Sequence, residues 1–282
     1  HGDSGSSSEG MTNDRYSCWM ISVIQALRNS AAFRKEFAPQ KEDKNALKTK
    51  LFTLFDIAEG KNGEERRPVH EEEIRSFKRL AIEAGLKAPM DGAFLEMPFL
   101  QFLLQKIGAE PIEYYYSKKK KKYRETIFTI PLKNSEKKRS LQSLMKEDKI
   151  AFLSRAKTPA FLPIYLDRPL EKHTTSENRT RSEFSRTQVT PSYTLEIPIA
   201  KDEDLARYRL VSIVVGRDSS GHAYSYVFEK DDNNKSIWVE YNDSDVRKHL
   251  KPETKKRRAK SNLTPYDDAV KHGLIFIYEL EH

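Results

Sequence analysis

In the first third of the chain, apolar residues recur at every third or fourth position. Leu47, Leu51, Leu54 and Phe55 form one stripe, Ile74, Phe77, Leu80 and Ala81 a second, and Phe99, Phe102 and Leu103 a third. That spacing puts each set on one face of a helix, and such stripes read as core contacts rather than a cofactor site. Further along, the period changes. β-Branched and apolar residues dominate from Tyr123 to Leu132 and from Ile150 to Leu153, and more strand-like runs follow residue 159. A helical lobe followed by an antiparallel sheet is an α+β arrangement, with an active site expected in the cleft between the two. The boundaries read as a flexible linker or cloning remnant over 1–10, a helical lobe over 11–110 and a β-rich lobe over 111–282. Within the second lobe, residues 171–190 are rich in Ser, Thr, Arg and Asn and poor in apolar side chains, which predicts a mobile loop. No internal repeat is found.

With 282 residues the chain has enough length for one two-lobed domain or two small ones. It is 37% hydrophobic and 33% charged, and no apolar run approaches the roughly 18 residues that span a bilayer, so no membrane span is expected. Nothing near the start resembles a secretory signal. Cys18 is the only cysteine, so no internal disulfide can form and a reducing compartment, cytosol or nucleus, is expected. The net charge of +8 is clumped in Lys118–Lys122 and in Lys255-Lys256-Arg257-Arg258 with Lys260. Such runs can bind nucleic acid or anionic lipid or act as an import signal. Neither is interleaved with stacking aromatics, which favours solvated loop decoration over nucleic acid, although Tyr114, Tyr115 and Tyr116 precede the first run. His70, His173, His272 and the terminal His1 and His282 form no spaced set with acidic residues, so neither a metal nor a cofactor is expected.

The candidate chemistry begins at Cys18, where an apolar-periodic run starts. A thiolate in the first turn of a helix is favoured by the peptide dipoles and by unpaired N–H groups, which predicts a lowered thiol pKa. The alternative is a small buried apolar side chain. About two hundred residues on, Gly221-His222-Ala223-Tyr224-Ser225-Tyr226-Val227 is followed by the acidic turn Asp231-Asp232-Asn233-Asn234 and by a returning run from Ile237 to Tyr241. This predicts a hairpin that sets Asn242 beside His222. There the Asn242 oxygen can accept the imidazole N–H and hold the other nitrogen toward the thiol, as a Cys-His-Asn triad requires. Trp238 and Tyr241 read as packing residues of the sheet.

These segments closely resemble the ubiquitin-specific protease family of papain-like deubiquitinating enzymes. Its cysteine box, Asn-x-Gly-x-Thr-Cys-Tyr-Met-Asn-Ser-x-x-Gln-x-Leu, is matched here by Asn13, Cys18, Met20, Ser22, Gln25 and Leu27. Its histidine box is matched by Gly221, His222, Tyr226, Val227, Trp238, Tyr241, Asn242, Asp243 and Ser244. Tyr208 to Val214, Pro159 to Arg168 and Ala269 to Leu280 are similar to three further strands of the family. The departures are Arg15 and Ser17 for the glycine and threonine, and only a faint echo of the Gln-Gln-Asp-Ala-x-Glu-Phe box, with Asp91 and Glu96 as its nearest candidates.

The resemblance implies a papain-like fold with an N-terminal helical thumb and a C-terminal antiparallel β palm. One cysteine cannot supply the two Cys-x-x-Cys pairs of the zinc-bound fingers, so the fingers are expected to be reduced or absent. It implies hydrolysis of isopeptide or peptide bonds after the Gly-Gly terminus of ubiquitin, with Cys18 as nucleophile, His222 as base and Asn242 as orienter. Asn13 is implied as oxyanion donor beside the Cys18 backbone N–H, Asp243 as second orienter, and Asp91, Glu96 and Gly221 as substrate-binding. Ubiquitin or ubiquitinated proteins are the implied partners, including host ubiquitin if the source is a microbe or virus that delivers the protein into a host cell. A protease for a ubiquitin-like modifier and a non-catalytic ubiquitin-binding scaffold are the alternative readings.

Overall fold

The structure is a computed structural model, and it describes residues 8–174, 176–217, 221–254 and 263–282. The helical lobe holds α1 (Cys18–Arg28), α2 (Ala31–Phe37), α3 (Ala46–Glu59), α4 (Glu71–Glu83) and α5 (Glu96–Lys106). Local chemistry sets several of their ends. Asn45 accepts the Lys48 N–H at the start of α3, and Gly60 ends that helix at φ +69°, a left-handed conformation that glycine adopts without steric cost. Ser30 caps α2 by accepting from Phe33, and the Glu73 carboxylate accepts the His70 N–H at the start of α4.

The chain then turns to strands: β1 (Ile112–Tyr116), β2 (Lys121–Glu125), β3 (Phe128–Pro131), β4 (Arg139–Ser140), then α6 (Leu141–Glu147), β5 (Ile150–Phe152) and β6 (Phe161–Asp167). Next come β7 (Leu170–Thr174), β8 (Thr180–Phe184), β9 (Val189–Thr190), β10 (Thr194–Pro198), β11 (Leu205–Gly216), β12 (Ala223–Lys230), β13 (Ser236–Asn242), β14 (Asp245–His249), α7 (Pro265–His272) and β15 (Gly273–Leu280). The main sheet runs β14-β13-β12-β11-β15-β6-β3, antiparallel except for the β3–β6 pair. The long β11 pairs with β10 along its first half and with β12 along its second. A smaller sheet, β2-β1-β5, is tied to the end of β10 by the Ala200 N–H donating to Phe152 O at 2.8 Å.

Strand alternation divides the apolar core between the two faces of the main sheet. Phe161, Tyr165, Val214, Ile275 and Ile277 face the helical lobe, whereas Leu162, Ile164, Leu166, Ile213, Phe276 and Tyr278 face the smaller sheet, α6 and α7. Helix α1 lies between the lobes, and every residue from Trp19 to Arg28 is buried. Ser212 of β11 pins it by donating its hydroxyl to Ala26 O at 2.9 Å. The nucleophile candidate therefore starts a helix that the whole fold clamps.

Two expectations are corrected. Residues 171–190 are not a loop: β7 and β8 form a hairpin, and β9 pairs with β4. Their side chains are polar on both faces, so no period-2 apolar signal marks them, although Phe184 and Val189 are buried. The linker expected over 1–10 does not extend through Ser8, Glu9 and Gly10. Glu9 N donates to Ala58 O, Val69 N to Gly10 O, and Gln25 Nε2 to Glu9 O. A Cβ on Gly10 would stand 2.6 Å from the Ser244 backbone, so only glycine fits where this segment passes the β13–β14 turn. Residues 1–7 and the second basic run, 255–260, lie outside the described residues.

Among the described residues no helix is long and apolar enough to cross a membrane, and no group of three or more His, Cys, Asp or Glu is arranged to hold a metal ion.

Candidate active site

The segment before Cys18 is shaped by two side chains of its own. Asn13 Oδ1 accepts the Ser17 N–H at 2.9 Å, and Asp14 Oδ1 accepts the Tyr16 N–H at 3.0 Å and the Ser17 hydroxyl at 2.6 Å. Arg15 stands at φ +83°, the left-handed conformation that explains why the resembling family has glycine at this place. The other Asp14 oxygen receives the ammonium of Lys78 at 2.9 Å and the guanidinium of Arg75 at 3.1 Å. Both the Lys78 and Asp14 side chains are fully buried. Burial alone would raise the Asp14 carboxyl, but the hydrogen bonds from Ser17 and Lys78 hold it below its ordinary value. Lys78 also donates to Met90 O at 2.8 Å, and Arg75 bridges Asp14 to Asp91 at 2.8 Å, so the cysteine loop is tied to the segment leading into α5.

From the other lobe, the β12–β13 hairpin brings the histidine and the amide together. The register Ser225↔Tyr241 sets Asn242, at the end of β13, across from Tyr224, so that His222, two residues earlier and just before β12, is its diagonal neighbour. His222 Nε2 and Asn242 Oδ1 are hydrogen-bonded. An amide oxygen only accepts, so Nε2 is the donor in this bond. The imidazole remains open to solvent, with 44% of its side-chain surface exposed. Asp243, at φ +54°, places Oδ2 3.9 Å from His222 Nε2 and accepts from Asn13 Nδ2 at 3.2 Å. Its other oxygen is buried with no hydrogen-bond partner among the described residues. Burial raises the Asp243 carboxyl, against the opposing pull of His222 and Asn13.

The Cys18 sulfur lies 3.8 Å from Gly221 O, at the junction of the lobes and next to the residue that precedes the imidazole. The expected lowering of its pKa is overturned. Burial pushes the thiol up to about 11, and the carboxylates of Glu96 and Asp243 add to the rise, outweighing the hydrogen bonds from the backbone at Ala223 and Trp19. At neutral pH the sulfur of the free protein therefore keeps its proton until a base takes it.

Of the residues singled out from the sequence, Cys18, Asn13, Gly221, His222, Asn242 and Asp243 are gathered at this junction. Glu96 joins them as the first residue of α5. It is buried, and its carboxylate stands so close to the end of β11 that a Cβ on Gly216 would lie 3.3 Å from Oε1. Asp91 is not at the thiol. It is exposed, paired with Arg75, and reaches the cysteine loop only through that guanidinium. Sequence reasoning missed Asp14 and Lys78. The available signal was a lysine four residues after Ile74 on the stripe assigned to the core, a position where a buried charge demands a partner.

The fold sets a thiol at the start of a buried central helix, 3.8 Å from the carbonyl that precedes a His-Asn pair on the sheet, the arrangement of a cysteine hydrolase. The family described as ubiquitin carboxyl-terminal hydrolase matches residues 9–278, and the chain belongs to it. Solved structures are similar in fold. A Ubp8/Sgf11/Sus1/Sgf73 SAGA DUB module bound to monoubiquitin is 13% identical with a TM-score of 0.67, over 100% of this chain and 72% of that one. The same module bound to ubiquitin aldehyde is 14% identical with a TM-score of 0.64, over 97% and 70%. An essential yeast splicing factor is 13% identical with a TM-score of 0.60, over 97% and 69%. No curated protein matches the chain in sequence.

Proposed function

We propose that this chain is an active deubiquitinase that cleaves the isopeptide or peptide bond after the C-terminal Gly-Gly of ubiquitin. The observation that carries this is the convergence of the Cys18 sulfur, the His222–Asn242 pair and the Asn13–Asp243 pair where α1 meets the β12–β13 hairpin. His222 Nδ1 takes the thiol proton as the sulfur attacks the scissile carbonyl carbon. The C–N bond breaks, the same proton passes to the leaving amine, and water then hydrolyses the thioester with His222 again as base. Asn242 holds the imidazole in the tautomer this needs. The Cys18 N–H at the first turn of α1, with Asn13 Nδ2 if it leaves Asp243, supplies donors for the oxyanion.

A groove of about 1200 Å³ opens between the lobes, apart from the Cys18–His222–Asn242 junction. Phe37 of α2 and Phe161 and Pro163 of β6 line it. A free nucleophilic thiol works where thiols stay reduced, so the cytosol or nucleus is the proposed setting.

The test is turnover of ubiquitin carrying a fluorogenic C-terminal amide. The wild-type chain releases the fluorophore, whereas Cys18→Ala and His222→Ala, both folded by circular dichroism, release none. Binding of ubiquitin without turnover by the wild-type chain would establish the scaffold reading instead. Turnover of a ubiquitin-like modifier alone would move the assignment to that modifier.

A further inference from the structure

The first lysine run has a defined place in the fold that the hydrolase does not use. Lys118–Lys122 form the tip of the β1–β2 hairpin, with Ser117–Lys119 in a short 3-10 turn and Lys120 at φ +52°. Lys119 and Lys121 lie over the rings of Tyr116 and Tyr123 at 5.1 and 5.0 Å. The neighbouring turn adds Lys146 and Lys149, since the Ser117 N–H donates to Lys149 O. Acidic side chains here are already taken: Glu147 pairs with Arg139, Asp148 with Lys118, and Glu196 with Arg207. Lys119 to Lys122 have no carboxylate partner among the described residues. Clustered like charges repel, so this tip is costly unless an anion meets it.

Directly beside the lysines a cavity of about 310 Å³ opens between α6, β5 and β10. Its floor is aliphatic, from Met145, Ile150, Ile197 and Pro198, while Lys146 and Lys149 stand at its rim. Leu205, half exposed, is the cross-strand partner of Pro198 and extends the apolar surface outward. Gln142 holds the edge of β10 in place by exchanging two hydrogen bonds with the Glu196 backbone, at 2.7 and 3.1 Å.

We propose that this end of the molecule, the lysine tip with the adjoining aliphatic cavity, docks an acidic peptide segment of a partner protein that carries one aliphatic anchor residue. Charge complementarity selects a polyanion, and the cavity narrows the class. A nucleic acid has nothing to place in an aliphatic pocket, and the rings offer it little to stack on: Tyr114 and Tyr123 stack on each other at 5.3 Å, Tyr116 is buried, and Tyr115 is only partly exposed. A bilayer calls for apolar side chains that protrude, whereas this apolar surface is mainly concave. The lysines supply steering and salt dependence, and the buried anchor supplies affinity.

The experiment is fluorescence anisotropy on the full chain with a labelled probe peptide, one leucine flanked on each side by a run of glutamates, and with its twin carrying glycine for leucine. The leucine peptide is expected to bind about tenfold more tightly than its twin, in keeping with burial of one aliphatic side chain, and to weaken as salt rises. Replacing Lys118 to Lys122 by serine removes binding of both peptides. Ala151→Phe, which fills the cavity, removes only the difference between them. Both variants are checked for unchanged ubiquitin turnover, which reports the fold. Equal binding of the two peptides overturns the proposal, as does failure of both to bind. Tighter binding of a single-stranded oligonucleotide reassigns the tip to nucleic acid, and tighter binding of phosphatidylserine vesicles reassigns it to a membrane surface.

Discussion

Cys18, the proposed nucleophile, is guarded. Its thiol is pushed up to about 11 by burial, with Glu96 and Asp243 adding to the rise, so deprotonation must be coupled to attack rather than precede it. Alkylation of the free protein by iodoacetamide should accelerate about tenfold per pH unit from neutral pH up to pH 10, because only the thiolate fraction reacts. A rate already at its plateau near pH 7 would mean that the free protein stores an ion pair. Asn13 holds two positions at once, accepting from Ser17 and donating to Asp243. As an oxyanion donor its loss in Asn13→Ala should lower kcat by about 10²–10³ with KM little changed, the usual cost of one such group. A loss below tenfold would leave Asn13 only the tether on Asp243. The meeting of Cys18, His222 and Asn242, proposed here as nucleophile, base and orienter, was legible in the sequence because each stands in a recognisable local context. The direction of the thiol shift was not, because it comes from burial and from carboxylates 78 and 225 positions away in the chain.

The loop that delivers the sulfur is held by a contact between elements far apart in sequence. Lys78 reaches from α4 into the core to meet Asp14, and with Met90 O it joins the cysteine loop to the approach to α5. Removing the ammonium leaves a buried carboxylate with Arg75 as its one remaining cation, so Lys78→Met is expected to destabilise the fold by about 3 kcal/mol, measured by urea unfolding. Because Asp14 lies below its ordinary pKa when folded, its contribution is complete above the unfolded carboxylate pKa and is lost as pH falls through the folded one. Lys78→Met should therefore cost less stability near pH 3 than near pH 7, and a cost independent of pH would place the effect in packing. Helices with apolar stripes, and the β12–β13 hairpin with its acidic turn, were readable from period and punctuation. The β7–β8 hairpin was not, since strands polar on both faces carry no periodic signal. Nor was the packing of residues 8–10, whose small polar composition reads as linker until Gly10 is seen against Ser244.

At the scale of the molecule, the enzyme reading depends on two lobes meeting along α1. The helical lobe supplies the thiol and Glu96, the β-rich lobe supplies the imidazole and the amide, and Ser212 and the buried run Trp19–Arg28 of α1 hold the lobes in register. Family membership accounts for that plan over residues 9–278, and the single cysteine distinguishes this chain from members with zinc-bound fingers. The most direct test is covalent capture. Ubiquitin bearing a C-terminal propargylamide is incubated with the wild-type chain, and the adduct is digested and sequenced by mass spectrometry. The account predicts one adduct, on Cys18, lost in Cys18→Ala, strongly slowed in His222→Ala, and outcompeted by free ubiquitin. Absence of any adduct from the folded protein, or labelling that persists in Cys18→Ala, would contradict it.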